Sequence, residues 1–171
     1  MPHALFHGGL GLFTRNGIPK PAYHAYRMMH RLGDTLLCRT ADSLVTRQED
    51  RLQLLAWNYS ETQPKAVPMC TDPASAARVR EDGTPALLEL DLRGLKPGQP
   101  LLAEVLDRDH GDAAALWQQM GAPENLTPAQ TEALRRAAEA TGHTLLQADE
   151  SGKLYARLPL EPWAVVLLQT L

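Results

Sequence analysis

The densest run of ionisable side chains in the sequence is Glu104, Asp107 and Asp109 with His110. Two carboxylates whose surroundings push their pKa values apart can serve as acid and base. The same spacing also describes a polar strand end leading into a helix, with Asp109 or Asp112 as its cap, and this second reading is the one adopted. As a metal site the run lacks a second histidine at useful spacing, so neither a metal nor a cofactor is expected. Ser43, Ser60, Ser75 and Ser151 lack the glycine-flanked elbow of a hydrolase nucleophile. Trp57, Trp117 and Trp163 could stack on pyranose rings, but each lies in an apolar stretch and reads as core. Asn58-Tyr59-Ser60 and Asn125-Leu126-Thr127 match the glycosylation sequon at the level expected by chance.

Positioning any of these groups requires a scaffold, and the chain changes texture along its length. Gly8-Gly9-Leu10-Gly11 reads as a loop and Asn16-Gly17 as a turn. Pro19 and Pro21 then suit a helix start. Ala22, Ala25, Tyr26, Met29 and Leu32 recur at helical spacing, with Gly33 placed for a left-handed C-terminal cap. This predicts one amphipathic helix over residues 22–32 whose apolar stripe needs a surface.

Beyond Gly33 the period shortens to two. Leu55, Trp57 and Tyr59 share one face of a run over 51–59, and Leu88, Leu90 and Leu92 alternate with Glu89, Asp91 and Arg93. Further strands are predicted over 101–106, 154–158 and 164–168, with turns at Asp82-Gly83, Pro97-Gly98 and Ser151-Gly152. Short strands with frequent turns indicate an antiparallel β-sandwich. A helical insertion over about 113–141 interrupts it. There Thr127-Pro128-Ala129-Gln130 fits a capping box, followed by the stripe Ala133, Leu134, Ala137 and Ala140, with Gly142 closing the helix.

Composition narrows the function classes. The net charge of −3 is spread over mixed signs without a basic block, which argues against nucleic acid. No apolar run approaches the ~20 residues that cross a bilayer, so no membrane partner is expected. The first residues show no basic and apolar leader, and the sequence as given reads as cytoplasmic; a longer parent could carry an export signal upstream. Cys38 and Cys70 do not make a disulfide framework and read as free thiols, although sequence alone leaves their pairing open.

Two segments near the start carry a family resemblance: Phe6-His7-Gly8-Gly9-Leu10-Gly11-Leu12, and Gly17-Ile18-Pro19-Lys20-Pro21-Ala22-Tyr23-His24-Ala25-Tyr26. Together they resemble the part of glycoside hydrolase family 39 that closes the (β/α)8 barrel, the loop after the eighth strand and then the eighth helix. Leu55-Ala56-Trp57-Asn58-Tyr59-Ser60 is similar to a strand of the family's accessory sandwich. Asp107-Arg108-Asp109-His110-Gly111-Asp112-Ala113, Trp117-Gln118-Gln119-Met120-Gly121-Ala122-Pro123 and Pro128-Ala129-Gln130 resemble its helical insertion.

The resemblance implies a mainly β chain in two parts. Residues 1–33 would be a remnant of the catalytic barrel, and residues 34–171 an accessory sandwich. It also implies a retaining β-xylosidase as parent, whose glutamate nucleophile and acid/base match nothing in this sequence, so no catalytic residue is expected here. His7, Gly8 and Gly9 would border the sugar pocket only in an intact barrel. The expected partners are the missing barrel, or a second copy of the chain through the helix stripe from Ala22 to Leu32. The alternatives are a carbohydrate-binding module with weak binding of xylo-oligosaccharide, or a self-associating remnant of a truncated gene.

Overall fold

The computed structural model describes residues 5–6, 11–59 and 82–171. The elements run α1 (Pro21–His30), β1 (Thr35–Arg39), β2 (Ser43–Gln48), β3 (Arg51–Trp57), β4 (Ala86–Arg93), β5 (Pro100–Leu106), α2 (Ala114–Gln119), α3 (Pro128–Glu139), β6 (Gly142–Gln147), β7 (Lys153–Leu160) and β8 (Val165–Thr170). Six strands form one sheet in the order β1-β2-β3-β8-β5-β6, and β4 pairs with β7 in a second, two-stranded sheet. All pairings are antiparallel. The mainly β sandwich with its helical insertion is therefore the observed architecture.

The period-two pattern decides what each sheet face meets. Along β3, β5 and β8, Leu54, Ala56, Leu101, Ala103, Val166 and Leu168 point to the small sheet, where Leu90, Leu154 and Leu160 close the core. The alternate residues Leu55, Leu106 and Leu167 point to the opposite face and bury Met28 of α1. Burying a methionine side chain contributes about 1.5–3 kcal/mol. A third cluster lies under the insertion, where Trp117, Leu134 and Ala138 pack on Leu5 and Ile18.

The strand over 154–158 extends further than its leucine alternation indicates. β7 continues to Leu160, with Pro159 paired opposite Leu87. A proline is tolerated there because, among the described strands, β7 has a hydrogen-bonded neighbour on one side alone. The capping box forms as expected. The Gln130 backbone N–H donates to Thr127 Oγ1 at 3.2 Å, and the Thr127 N–H donates to Gln130 Oε1 at 2.9 Å.

Two glycines have reasons that sequence spacing misassigns. Gly33 is not in the left-handed region: α1 ends earlier, where the Arg31 N–H reaches the Met28 and Met29 carbonyls. What requires glycine is proximity, since a Cβ on Gly33 would stand 2.4 Å from the carbonyl carbon and oxygen of Arg47 in β2. Gly142 opens β6 instead of closing the preceding helix, with the His110 ring 3.1 Å from where its Cβ would be.

The apolar stripe of α1 is also corrected. Its fully buried residues are His24 and Met28, with Ala25 and Leu32 half-buried beside them. Ala22, Tyr26 and Met29 face outward, with Tyr26 61% and Met29 43% exposed. The helix is thus apolar on two sides and has a described partner on one.

Candidate functional site beneath the first helix

Glu104 sits mid-strand in β5, opposite Leu167 on one side and His143 on the other. Alternation turns it, with Leu106, toward α1. It is 2% exposed, and it is the one carboxylate among the described residues that is buried. Burial of a bare carboxylate is costly, and here three donors offset that cost. Arg27 donates through Nη2 to Oε1, Arg31 through Nη1 to Oε2, and the Thr141 hydroxyl donates to Oε1 at 2.8 Å. Burial alone would raise the Glu104 carboxyl, but the hydrogen bonds from Thr141, Arg31 and Arg27 hold it below the usual glutamate range.

His24 completes this cluster. Its Nε2 lies 2.7 Å from the Ala138 carbonyl, and its Nδ1 lies 3.4 Å from Arg27 Nη2. Burial is the main influence on the imidazole and pushes its pKa down. A cavity of about 410 Å³ opens beside the cluster, with Phe13, Tyr23, Glu139 and His143 among its walls. The Phe13 and Tyr23 rings lie 4.9 Å apart.

The sequence run Glu104, Asp107, Asp109 and His110 does not converge. Asp107 closes a turn, its Oδ1 accepting from the Asp109 and His110 backbone N–H groups at 2.8 and 2.9 Å and facing His110 Nδ1 at 2.8 Å. Asp109 is exposed. Asp112 accepts from the Ala114 N–H at 2.8 Å just before α2, whose N-cap position is Ala113, so neither aspartate is the cap. A buried carboxylate held below the usual glutamate range by two guanidinium groups and a hydroxyl is a weak proton acceptor, so this arrangement does not favour Glu104 as a general base. No group of three or more His, Cys, Asp or Glu among the described residues could hold a metal ion.

The remaining candidates are dispersed. His7, Gly8, Gly9 and Cys70 lie outside the described residues, and Cys38 is exposed and free. Trp117 is buried, its Nε1 donating to the Pro123 carbonyl at 3.0 Å. Trp57 and Trp163 are half-buried walls of an apolar cavity of about 470 Å³, shared with Met29, Leu32, Leu55 and Tyr59. They face a groove against α1 instead of forming an open stacking platform. The sequon residue Asn58 is occupied structurally. Its side-chain nitrogen faces the carbonyls of Thr84, Leu160 and Glu161 at 2.8, 3.0 and 3.2 Å.

Sequence reasoning missed His24, Arg27 and Arg31. Their spacing of three and four places them on one helix side, the signal that was available. What it lacked was the acceptor: Glu104 is 77 positions from Arg27.

The chain belongs to the glycosyl hydrolases family 39, whose model matches residues 1–154. Among its relatives, a β-xylosidase of Geobacillus stearothermophilus is 29% identical over 124 residues, covering 72% of this chain and 21% of its own length. The GH39 enzyme of Xanthomonas axonopodis pv. citri superposes over 99% of this chain and 33% of its own, at 26% identity and a TM-score of 0.77. A monomeric β-xylosidase of Caulobacter crescentus CB15 does so over 99% and 34%, at 25% identity and a TM-score of 0.74. The chain thus spans between 21% and 34% of the length of these relatives. No helix among the described residues is long and apolar enough to cross a membrane.

Proposed function

We propose that this chain is the non-catalytic C-terminal part of a retaining glycosidase acting on β-xylosides, and that residues 1–33 are the end of its barrel while residues 34–171 form the accessory sandwich. In such an enzyme two carboxylates stand about 5–5.5 Å apart across the scissile bond, at the C-terminal ends of barrel strands. The chain's buried carboxylate is instead committed to holding α1. The carrying observation is the two-sided helix: α1 buries His24 and Met28 on the sandwich and turns Ala22, Tyr26 and Met29 outward. That outer face is where the rest of the parent enzyme would dock, fixing barrel and sandwich through a shared helix.

The test uses a chimera in which this chain replaces the matching stretch of the Geobacillus β-xylosidase. Ala22→Asp with Tyr26→Asp should leave the isolated chain's stability within about 0.5 kcal/mol, as surface changes do. In the chimera the same pair should cut xyloside turnover about tenfold or more and lower the melting temperature. Equal turnover by chimeras with and without the two aspartates would overturn the docking role of this face.

A further inference from the structure

The cluster beneath α1 has a protonation state written into its hydrogen bonds. A carbonyl can only accept, so His24 Nε2 carries a proton and donates it to Ala138. Arg27 Nη2, 3.4 Å from Nδ1, can only donate, so in this arrangement Nδ1 is the ring's acceptor and the imidazole is neutral. Arg27 and Arg31 in turn hold Glu104, and Thr141, just beyond α3, holds it from the other side. One polar network thus ties α1 to β5 and to the end of α3, alongside the single fully buried apolar contact of Met28.

We propose that this network is an acid-released latch, which keeps α1 on the sandwich only while the His24 imidazole is neutral. Protonation would put a second N–H on Nδ1, facing a guanidinium that already donates there. The groups around His24 are Arg27 and Tyr23 from α1, Glu104 from β5, Glu139 and the Ala138 carbonyl from α3, and Thr141 and His143 from the segment that follows. Glu104 and Glu139 favour the charged ring, but Glu104 is already bound to two arginines, and burial outweighs both acids. The folded state therefore binds the proton less well than the released helix does.

The sign follows from linkage. A histidine whose folded pKa is depressed contributes its full stabilisation above the unfolded value of about 6.5, and loses it as pH falls below that. Glu104, also depressed, keeps its contribution until pH falls below about 4.3, the ordinary glutamate range. Release of α1 is thus a first, mild-acid step, separate from a second step at Glu104. The latch rests on contacts within this chain; its consequence, that mild acid loosens the mount for the rest of the enzyme, rests on the function proposed above.

Hydrogen exchange of the full chain, followed by mass spectrometry from about pH 7.5 to about pH 5 and corrected for intrinsic rates, tests it. Protection of α1 amides should fall by about tenfold, as a local opening distinct from global unfolding, while β3 and β8 keep theirs. His24→Gln retains a donor for Ala138 and an acceptor for Arg27, and should flatten the α1 profile; His143→Gln should leave it as it is. An unchanged profile in His24→Gln, or α1 and the sheet losing protection together, would overturn the latch. A magnetic-resonance titration of the His24 ring in the unaltered chain decides independently of any variant: an inflection below 6.5 is expected, and one at or above it contradicts the proposal. The outcome is separable from the glycosidase reading, since no substrate or barrel enters the measurement.

Discussion

Glu104→Ala is expected to lower the stability of the folded chain by about 3–5 kcal/mol, the usual cost of removing one partner from a buried ion pair. The side chain is buried and accepts from three donors, two at the C-terminal end of α1 and one between α3 and β6. Its loss strands Arg27 and Arg31, like charges one helical turn apart, over an apolar sheet face. Both arginines retain partial access to water, at 37% and 28% side-chain exposure, which puts the expected value near the lower end. Glu104→Gln can still accept from Thr141 but cannot neutralise the arginines, so it should fall between the two. Urea unfolding followed by tryptophan fluorescence measures all three proteins, and a loss under about 1 kcal/mol for Glu104→Ala would show that the network contributes no more than an exposed pair does.

Leu168→Ala should cost about 2–5 kcal/mol for a different reason. Leu168 is essentially fully buried on β8, between β3 and β5, and faces the small sheet within the main core. Truncation removes apolar contact on both sides and leaves a cavity that a β-sheet closes poorly, because strand spacing is fixed by the backbone ladder. The two variants differ in reach even where their costs overlap. Leu168→Ala should accelerate hydrogen exchange throughout β3, β5 and β8, whereas Glu104→Ala should accelerate it first in α1 and around Thr141. Identical exchange patterns would mean that α1 and the sheet open as one cooperative unit.

What sequence reading recovers, and what it loses, follows the range of the interactions. The capping box at Thr127 and Gln130 is legible because both partners lie within one turn. β3, β4 and β5 are legible because one face of each meets the core, which imposes alternation. β1, β2 and β6 escape it. β1 is exposed along its whole length and β6 leaves Leu145 66% exposed, so neither edge strand carries an inward-outward pattern. The β2–β3 hairpin turns on Glu49 and Asp50, with Glu49 at φ 53°, and lacks the glycine that usually announces a tight turn.

The candidate site fails in sequence for a related reason. Ala22, Tyr26 and Met29 look like the core face of α1 because they are apolar, while His24, Arg27 and Arg31 look like the wet one. The assignment inverts once Glu104 is placed opposite them. That placement was foreshadowed by a charge at an inward-facing position between Leu102 and Leu106, a pattern that asks for a buried cation and does not say where it comes from. Family resemblance did not close this gap, although the segments from Phe6 to Tyr26 and the insertion motifs fall within the matched residues 1–154.

Whether any chemistry resides in this chain is settled most directly by hydrolysis of aryl β-xylosides by the purified protein, followed through release of the chromophore. Release at the uncatalysed rate is the predicted result, unaffected by Glu104→Gln. Saturable turnover comparable to that of an intact β-xylosidase would contradict it, and would require a carboxylate pair within these 171 residues.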